Sequence, residues 1–199
     1  MTKSVDYYCF LSSPWTYLGS ARLYEIAARH GATIAHRPVD LAKIFPVSGG
    51  LPLAKRAIQR QRYRMAELQR WRDFLDVPLT LEPKYFPVDT IPASQLVVAA
   101  DTLGHDPGPL AHAILRAVWA EERDIADPAT LTAIADAAGF DGKALITASA
   151  DDDVRHRFDA FTQEAIDRDV FGSPTYIVNG DLFWGQDRLD FVDRALAAA

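Results

Sequence analysis

The chain has 199 residues, of which 49% are hydrophobic and 24% charged, and its formal net charge is −6 at pH 7. This length fits one domain, or one domain with a large insertion, and the apolar content suffices for a sizeable core. Because nucleic-acid partners require a basic surface, the acidic balance argues against them. No apolar run approaches the roughly 18 residues of a membrane span, so no membrane partner is expected.

The first residues and the cysteine content bear on the compartment. The chain starts Met-Thr-Lys-Ser-Val-Asp, without the apolar region of a signal peptide. Its one cysteine, Cys9, permits neither an intramolecular disulfide nor an all-cysteine metal site. Because Cys9 lies within a strand pattern, a buried structural thiol is predicted. We therefore expect a cytoplasmic protein with no metal site.

The N-terminal residues predict a strand, a sharp turn and a helix. Residues 4–10 are rich in aromatic and β-branched side chains, and Ser13 then stands before Pro14. Serine is a preferred N-cap and proline a preferred first helical residue, so the helix is expected to start here. The Ser13 hydroxyl would then lie at the positive end of a helix dipole, which favours an anion. The alternative is an ordinary N-cap that only holds its own helix.

Gly31 is predicted to end this helix, and residues 33–39 predict a second strand, which completes a parallel βαβ unit. The Ser48-Gly49-Gly50 breaker predicts a loop over residues 40–52. Helices are predicted at 55–75, 93–103, 110–122, 129–138, 141–150 and 152–169. The first of these is basic, and is either a solvated face or a positive rim that attracts a carboxylate-bearing ligand. Its cations are Lys55, Arg56, Arg60, Arg62, Arg64, Arg70 and Arg72.

The β signal returns near the C-terminus. Residues 174–178 and 181–184 predict two strands joined by Asn179-Gly180, a strong type I′ hairpin signal. A closing helix is predicted at 188–198. The order is therefore β-α-β, a helical insertion, then β-β-α.

This order resembles the α/β thioredoxin-like fold with a large all-helical insertion. Residues 1–51 and 169–199 would form the thioredoxin-like domain, and 52–168 the inserted helical domain. The fold places a cis-proline where Pro174 follows Ser173, although an ordinary trans proline is the alternative. The related disulfide oxidoreductases begin their first helix with Cys-x-x-Cys, where this chain has Ser13-Pro14-Trp15-Thr16. Thiol–disulfide exchange by the protein is therefore excluded.

Three motifs in the expected order resemble the 2-hydroxychromene-2-carboxylate isomerases, relatives of the kappa-class glutathione transferases. They are residues 13–19 (SPWTYLG), 171–175 (FGSPT) and 183–189 (FWGQDRL), and residues 50–56 and 68–71 also look like that family. The resemblance covers essentially the whole chain. It implies a homodimeric, glutathione-dependent isomerase of aromatic-hydrocarbon catabolism. Such an enzyme interconverts 2-hydroxychromene-2-carboxylate and trans-o-hydroxybenzylidenepyruvate, with the glutathione thiolate adding and eliminating.

The resemblance also assigns roles to residues. Glutathione would lie across the thioredoxin-like half with its thiol at Ser13, the expected catalytic residue, while Ser12 is the competing candidate. The backbone of Ser173, before Pro174, would hold the cysteinyl part. Asp187 would face the ammonium group of the γ-glutamyl end, or else serve only as an N-cap. The expected glutathione-binding residues are Ser13, Ser173, Pro174, Trp184, Gly185, Gln186 and Asp187.

The family's substrate is a small aromatic carboxylate, expected between the two halves of the molecule. Lys55, with Arg56 as the alternative, would bind its carboxylate, and Phe45 and Tyr85 would flank its ring. The sequence is also compatible with two other functional hypotheses. One is a kappa-class-like glutathione transferase or peroxidase that uses the same site, and the other is a binding module that holds glutathione without turnover.

Overall fold

A mixed four-stranded sheet organises the protein, for which the computed structural model describes residues 3–199. The strand order is β2-β1-β3-β4, with β1 and β2 parallel and β3 antiparallel to both of its neighbours. This confirms the predicted βαβ unit, the C-terminal hairpin and the thioredoxin-like class. The strands are β1 Ser4–Cys9, β2 Thr33–Pro38, β3 Thr175–Val178 and β4 Asp181–Trp184.

The regular structure between residues 52 and 168 is helical, as predicted, with a helix-free stretch at 76–90. Every helix predicted from the sequence is present, with ends that differ by a few residues. Short 3-10 turns at Leu53–Lys55 and Gln186–Arg188 precede the third and the last helix. The helices are α1 Pro14–His30, α2 Leu41–Ser48, α3 Ile58–Leu75, α4 Ile91–Thr102, α5 Gly108–Trp119, α6 Pro128–Ala137, α7 Gly142–Ser149, α8 Asp152–Asp167 and α9 Leu189–Ala198.

The prediction of a loop over residues 40–52 is wrong, because α2 occupies most of it. Asp40 caps this helix, its carboxylate accepting a hydrogen bond of 2.8 Å from the Ala42 N–H. Leu41 and Ile44 are buried three residues apart on one side of α2. The cap and the buried face outweigh Pro46, which lies near the end of the helix.

One apolar core joins the sheet to the helical segment. Val5 and Tyr7 of β1 are fully buried in the same cluster as Leu96 of α4 and Trp119 of α5. Tyr8 points to the opposite face of the sheet, into a smaller cluster. The division into a domain of residues 1–51 and 169–199 and an insertion of residues 52–168 stays a prediction.

A charged cluster ties β1 to β2 and to the end of α8, and it predicts an acid-dependent loss of stability. The Asp6 carboxylate accepts hydrogen bonds of 2.8 Å from Arg37 and 2.7 Å from Arg168. Burial raises the pKa of Asp6, but the two guanidinium groups outweigh burial and hold it below the ordinary value of 3.8. The stability that a lowered carboxyl pKa contributes is present above the unfolded-state pKa and is lost as pH falls through the folded-state pKa.

We expect Asp6→Asn to lower the free energy of unfolding at pH 7 by about 1–3 kcal/mol, since charge-assisted hydrogen bonds are lost. The difference from wild type should shrink at pH 3, below the unfolded-state pKa. Urea unfolding at both pH values measures this, with the exposed Glu25→Gln as the control. An equal loss at both pH values would show that the charge of Asp6 is not the source.

Candidate active site

Ser13 lies at the junction of β1 and α1, as predicted. Its backbone is extended (φ −78°, ψ 124°), Pro14 opens the helix, and the Ser13 Oγ accepts a 3.2 Å hydrogen bond from the Thr16 N–H. The predicted N-cap is therefore confirmed. The same hydroxyl points at the Ser173 carbonyl oxygen, 3.4 Å away. Since an O–H···O bond normally spans about 2.5–3.0 Å, this contact is weak and leaves the hydroxyl proton available to a better acceptor.

Ser12, the competing candidate, is held differently. It is buried, and its carbonyl oxygen accepts a 3.2 Å hydrogen bond from the indole N–H of Trp119 in α5. Its hydroxyl has no hydrogen-bond partner among the described residues and caps no helix. Ser13 therefore remains the better candidate, because only its hydroxyl combines with the N-terminus of α1.

The peptide bond between Ser173 and Pro174 is cis, as the resemblance implied. This bond lies just before β3, next to Ser13. The hydrogen bonds of the described residues include none donated by the Ser173 N–H. An extended ligand could therefore pair with this N–H as an added strand does.

The Ser173 side chain forms a buried network that the sequence did not predict. Its Oγ accepts a 2.8 Å hydrogen bond from the Phe10 N–H, donates to the Tyr8 carbonyl oxygen at 3.3 Å and lies 3.0 Å from the Thr16 hydroxyl. Thr16 occupies the position of the second cysteine of a Cys-x-x-Cys motif, which is the one sequence signal for its place here. The network fixes the cis-proline loop against the start of α1.

The hairpin leads into a turn that brings Gly185 back to the cis-proline. The Gly185 N–H donates to the Pro174 carbonyl oxygen at 2.9 Å. The φ of Gly185 is +105°, and a Cβ atom there would lie 2.5 Å from the Asp187 Oδ1, so the position requires glycine. Gln186 is buried, and its side-chain oxygen accepts a 3.2 Å hydrogen bond from Arg22 of α1. The Gln186 side chain is thus occupied within the protein.

Trp184 is half exposed and lies against Phe171, with ring centroids 4.8 Å apart. Gly172 makes this possible, because a Cβ atom there would lie 2.5 Å from the indole nitrogen. Both residues lie in the FGSPT motif, but the sequence alone predicts no role for either of them. A cavity of about 310 Å³ adjoins Phe171 and is lined by Val47, Ser48, Ile166, Asp169, Val170 and Phe171.

Asp187 lies in the 3-10 turn Gln186–Arg188, before α9. It is not the N-cap of α9, since Arg188 holds that position without a side-chain capping bond. The carboxylate is 3.4 Å from the Arg188 guanidinium, and both groups are exposed. Because exposed ion pairs contribute little, the Asp187 carboxylate can also meet a cationic ligand group.

The predicted substrate residues are distributed around the chain between β2 and α4. The ring of Phe45 is half-buried and lies close to Gly50, where a Cβ atom would be 2.2 Å from it. Lys55 is exposed. The Arg56 guanidinium donates a 2.8 Å hydrogen bond to the Leu51 carbonyl oxygen, and burial and the nearby Arg60 lower the pKa of Arg56.

Tyr85, the other predicted ring contact, is half-buried beneath the Lys84 ammonium, 4.8 Å from its ring centroid. No hydrogen bond, ion pair or ring contact joins any two of Phe45, Tyr85, Lys55 and Arg56. Their substrate roles, like the glutathione roles of the residues around Ser13, stay predictions.

Comparisons with known proteins identify the family of this chain. The family profile of the DSBA-like thioredoxin domain matches residues 4–197. A 2-hydroxychromene-2-carboxylate isomerase from Sphingobium xenophagum is 30% identical over 198 residues, which covers 98% of this chain and 99% of the relative. The enzyme of that name from Pseudomonas sp. strain C18 is 29% identical, covering 98% and 91%.

Comparison with solved structures indicates the same family. A structure of 2-hydroxychromene-2-carboxylate isomerase superposes with a TM-score of 0.80 at 26% identity, covering 98% of this chain and 95% of that one. The chain belongs to the 2-hydroxychromene-2-carboxylate isomerase family of DSBA-like thioredoxin domains. It is therefore an enzyme of isomerase type. A probable DsbA oxidoreductase from Streptomyces coelicolor, at 18% identity and a TM-score of 0.78 over 98% and 89% of the two chains, shares the fold.

This DSBA-like domain lacks the thiols of the oxidoreductases. Cys9 is fully buried in β1, and burial raises its pKa to about 12, so the thiol is not a nucleophile at neutral pH. Residues 3–199 contain no cluster of three or more His, Cys, Asp or Glu side chains suited to a metal ion. Within the same residues, no helix has both the length and the apolar character needed to cross a bilayer.

Proposed function

We propose that the protein is a glutathione-dependent isomerase that interconverts 2-hydroxychromene-2-carboxylate and trans-o-hydroxybenzylidenepyruvate. The observation that carries the proposal is the Ser13 hydroxyl, placed at the N-terminus of α1 beside the cis Ser173–Pro174 bond. We also expect a cytoplasmic homodimer that serves aromatic-hydrocarbon catabolism. These expectations follow from the family.

The residues present fit glutathione. The Ser173 N–H has no partner among the described residues, and the neighbouring cis bond precedes a strand, so a peptide backbone can pair there. The exposed Asp187 carboxylate suits the ammonium of the γ-glutamyl end. The proton of the Ser13 hydroxyl engages only a weak acceptor at 3.4 Å, so this hydroxyl can turn towards a sulfur. Ser13 is 7% exposed, so only a small part of its surface is open to a ligand.

When bound, glutathione supplies a thiolate that adds to the conjugated substrate and is later eliminated. Ser13 would donate a hydrogen bond to that sulfur, and the N-terminus of α1 would stabilise the anion through its dipole. Because a free thiol has a pKa near 8.5, these groups must lower it by about 1–2 units, worth ~1.4 kcal/mol per unit, to hold the anion at neutral pH. The protein's own contribution is this stabilisation, together with positioning and exclusion of water.

The Ser173 loop is held rigidly beside the start of α1, which supports the proposal. Its hydroxyl network links Tyr8, Phe10 and Thr16, so the cis-proline cannot shift without breaking several hydrogen bonds. The loop therefore fixes the peptide-pairing edge relative to the start of α1. Rigid placement of this kind supports addition and elimination at one carbon atom.

A spectrophotometric isomerase assay with and without glutathione tests the proposal. We expect turnover only when glutathione is present, with glutathione neither consumed nor oxidised. Conjugation of chlorodinitrobenzene or reduction of a hydroperoxide without isomerisation would instead indicate a transferase or peroxidase. Glutathione binding without any turnover would indicate a binding module, and no binding in calorimetry would overturn every glutathione-based reading.

A further inference from the structure

Arg64 of α3 is turned towards the body of the protein. It stands four residues before Leu68, which is fully buried, so both lie on the inward face of the helix. The Arg64 guanidinium carbon lies 5.5 Å from the ring centroid of Phe86 and 5.9 Å from that of Trp119. These two rings pack on each other, with centroids 4.9 Å apart. The cation therefore lies on an aromatic platform.

No carboxylate of the described chain pairs with this guanidinium. Its one polar contact is a weak one, 3.7 Å from its Nη1 to the Met65 sulfur. The half-buried Arg37 and Arg168, by contrast, each contact a carboxylate within 3 Å. Burial lowers the pKa of Arg64 to about 10, and the nearby Arg56 cation acts in the same direction.

A partly buried cation without an anion is costly, and contact with aromatic faces offsets only part of that cost. A guanidinium offers five N–H donors in a planar fork, which matches a carboxylate. The free donors of Arg64 thus fit an anionic ligand, and Phe86, unlike the fully buried Trp119, is partly exposed beside them.

The platform is connected to the candidate active site. Trp119, whose ring lies beneath Arg64, donates its indole N–H to the Ser12 carbonyl oxygen at 3.2 Å. Ser12 is bonded directly to Ser13. One buried side chain therefore separates the unpaired cation from the turn that carries Ser13.

We propose that Arg64 binds the carboxylate of the aromatic substrate, in the place that the sequence assigned to Lys55 or Arg56. The inference rests on the proposed function and names its carboxylate-binding residue. Lys55 is exposed, and Arg56 already donates to the Leu51 carbonyl oxygen. Arg64 alone of the three combines partial burial, an aromatic platform and uncommitted donors.

Steady-state kinetics of Arg64→Met test the assignment. We expect KM for the carboxylate substrate to rise about 10–100-fold, as for loss of a charge-assisted hydrogen-bonded pair, with a smaller change in kcat. Arg64→Lys keeps the charge but not the fork and should fall between Arg64→Met and wild type. The control Arg62→Met removes an exposed cation of the same helix and should leave KM unchanged. Unchanged KM in Arg64→Met would overturn the assignment.

A binding assay separates this assignment from the isomerase proposal. Calorimetric titration uses trans-cinnamate as the probe and the neutral trans-cinnamamide as its match. Arg64→Met should weaken cinnamate binding about 10-fold or more while leaving cinnamamide binding and glutathione binding unchanged. This result without isomerase turnover would support the assignment of Arg64 as the carboxylate-binding residue and refute the proposed function. Isomerase turnover together with equal cinnamate affinity in wild type and variant would refute the Arg64 assignment. The absence of cinnamate binding by wild type would refute it as well.

Discussion

Replacing Ser13 with alanine is expected to lower kcat/KM about 100–1000-fold, the usual cost of removing one hydrogen-bond donor from a developing anion. The hydroxyl stands at the N-terminus of α1, where its proton meets only the distant Ser173 carbonyl oxygen. Without it, a bound glutathione sulfur would keep the helix dipole but lose the hydrogen bond from Ser13. Isomerase kinetics at saturating glutathione measure the effect.

The capping role of Ser13 must be separated from the catalytic one. Its Oγ accepts the Thr16 N–H, so Ser13→Ala should also cost about 1 kcal/mol of stability. Ser13→Gly removes the same hydroxyl but is tolerated at an N-cap at a cost of only a few tenths of a kcal/mol. If activity depends on the donor, both variants lose turnover equally although they differ in melting temperature. Ser12→Ala is the matched control, because that hydroxyl has no partner among residues 3–199.

The thiolate itself provides a second readout. The ultraviolet absorbance of bound glutathione, followed against pH, reports the pKa of its thiol. We expect this pKa to rise towards the free value near 8.5 in Ser13→Ala and Ser13→Gly. Wild-type turnover in either variant, or an unchanged thiol pKa, would remove Ser13 from the mechanism.

Short sequence signals were sufficient to predict the backbone at the start of α1 and in the C-terminal hairpin. Ser13 before Pro14 predicts the cap, Asn179-Gly180 predicts the hairpin, and both are present. These features depend on conformational preferences of a few adjacent residues, so they can be recognised without tertiary information. The cis bond before Pro174 could not be predicted from adjacent residues alone. Its prediction depended on the resemblance to the thioredoxin-like fold.

The contacts of side chains could not be predicted in the same way. The Ser173 hydroxyl meets Thr16 across 157 residues of chain, and Gln186 meets Arg22 across 164. Such pairs exist only once α1, β3 and the final turn have packed together. Arg64 is the clearest case, because the sequence shows seven similar cations in one stretch. Only packing against Phe86 and Trp119 distinguishes it from the exposed ones.

The failure to predict helix α2 has a different cause. Paired glycines are strong helix breakers, and the Ser48-Gly49-Gly50 segment led to the prediction of a loop over residues 40–52. The Asp40 cap and the buried pair Leu41 and Ile44 were also present in the sequence. The cap and the buried pair outweigh the breakers, because a breaker at the end of a helix costs less than the same breaker at its centre.

The second large effect is expected at Ser173. Ser173→Ala removes the acceptor of the Phe10 N–H and the partner of the Thr16 hydroxyl, both inside the protein. Leaving such groups unsatisfied costs about 1–3 kcal/mol each, so we expect a clear loss of unfolding free energy in urea. Ser94→Ala is the matched control, since Ser94 is buried and its hydroxyl has no partner among residues 3–199. That control should leave stability nearly unchanged.

A double-mutant cycle with Thr16→Val determines whether the network also positions the reaction. If the hydroxyl groups of Ser173 and Thr16 bond directly, the double variant should lose less stability than the sum of the two single variants. Because the same bonds fix the cis-proline loop against α1, turnover should fall, by up to about 100-fold for a displacement near 1 Å. Additive stability losses with undiminished turnover would show that the two hydroxyl groups act independently. The cis-proline loop would then be positioned by its backbone alone, through the bond from the Gly185 N–H to the Pro174 carbonyl oxygen.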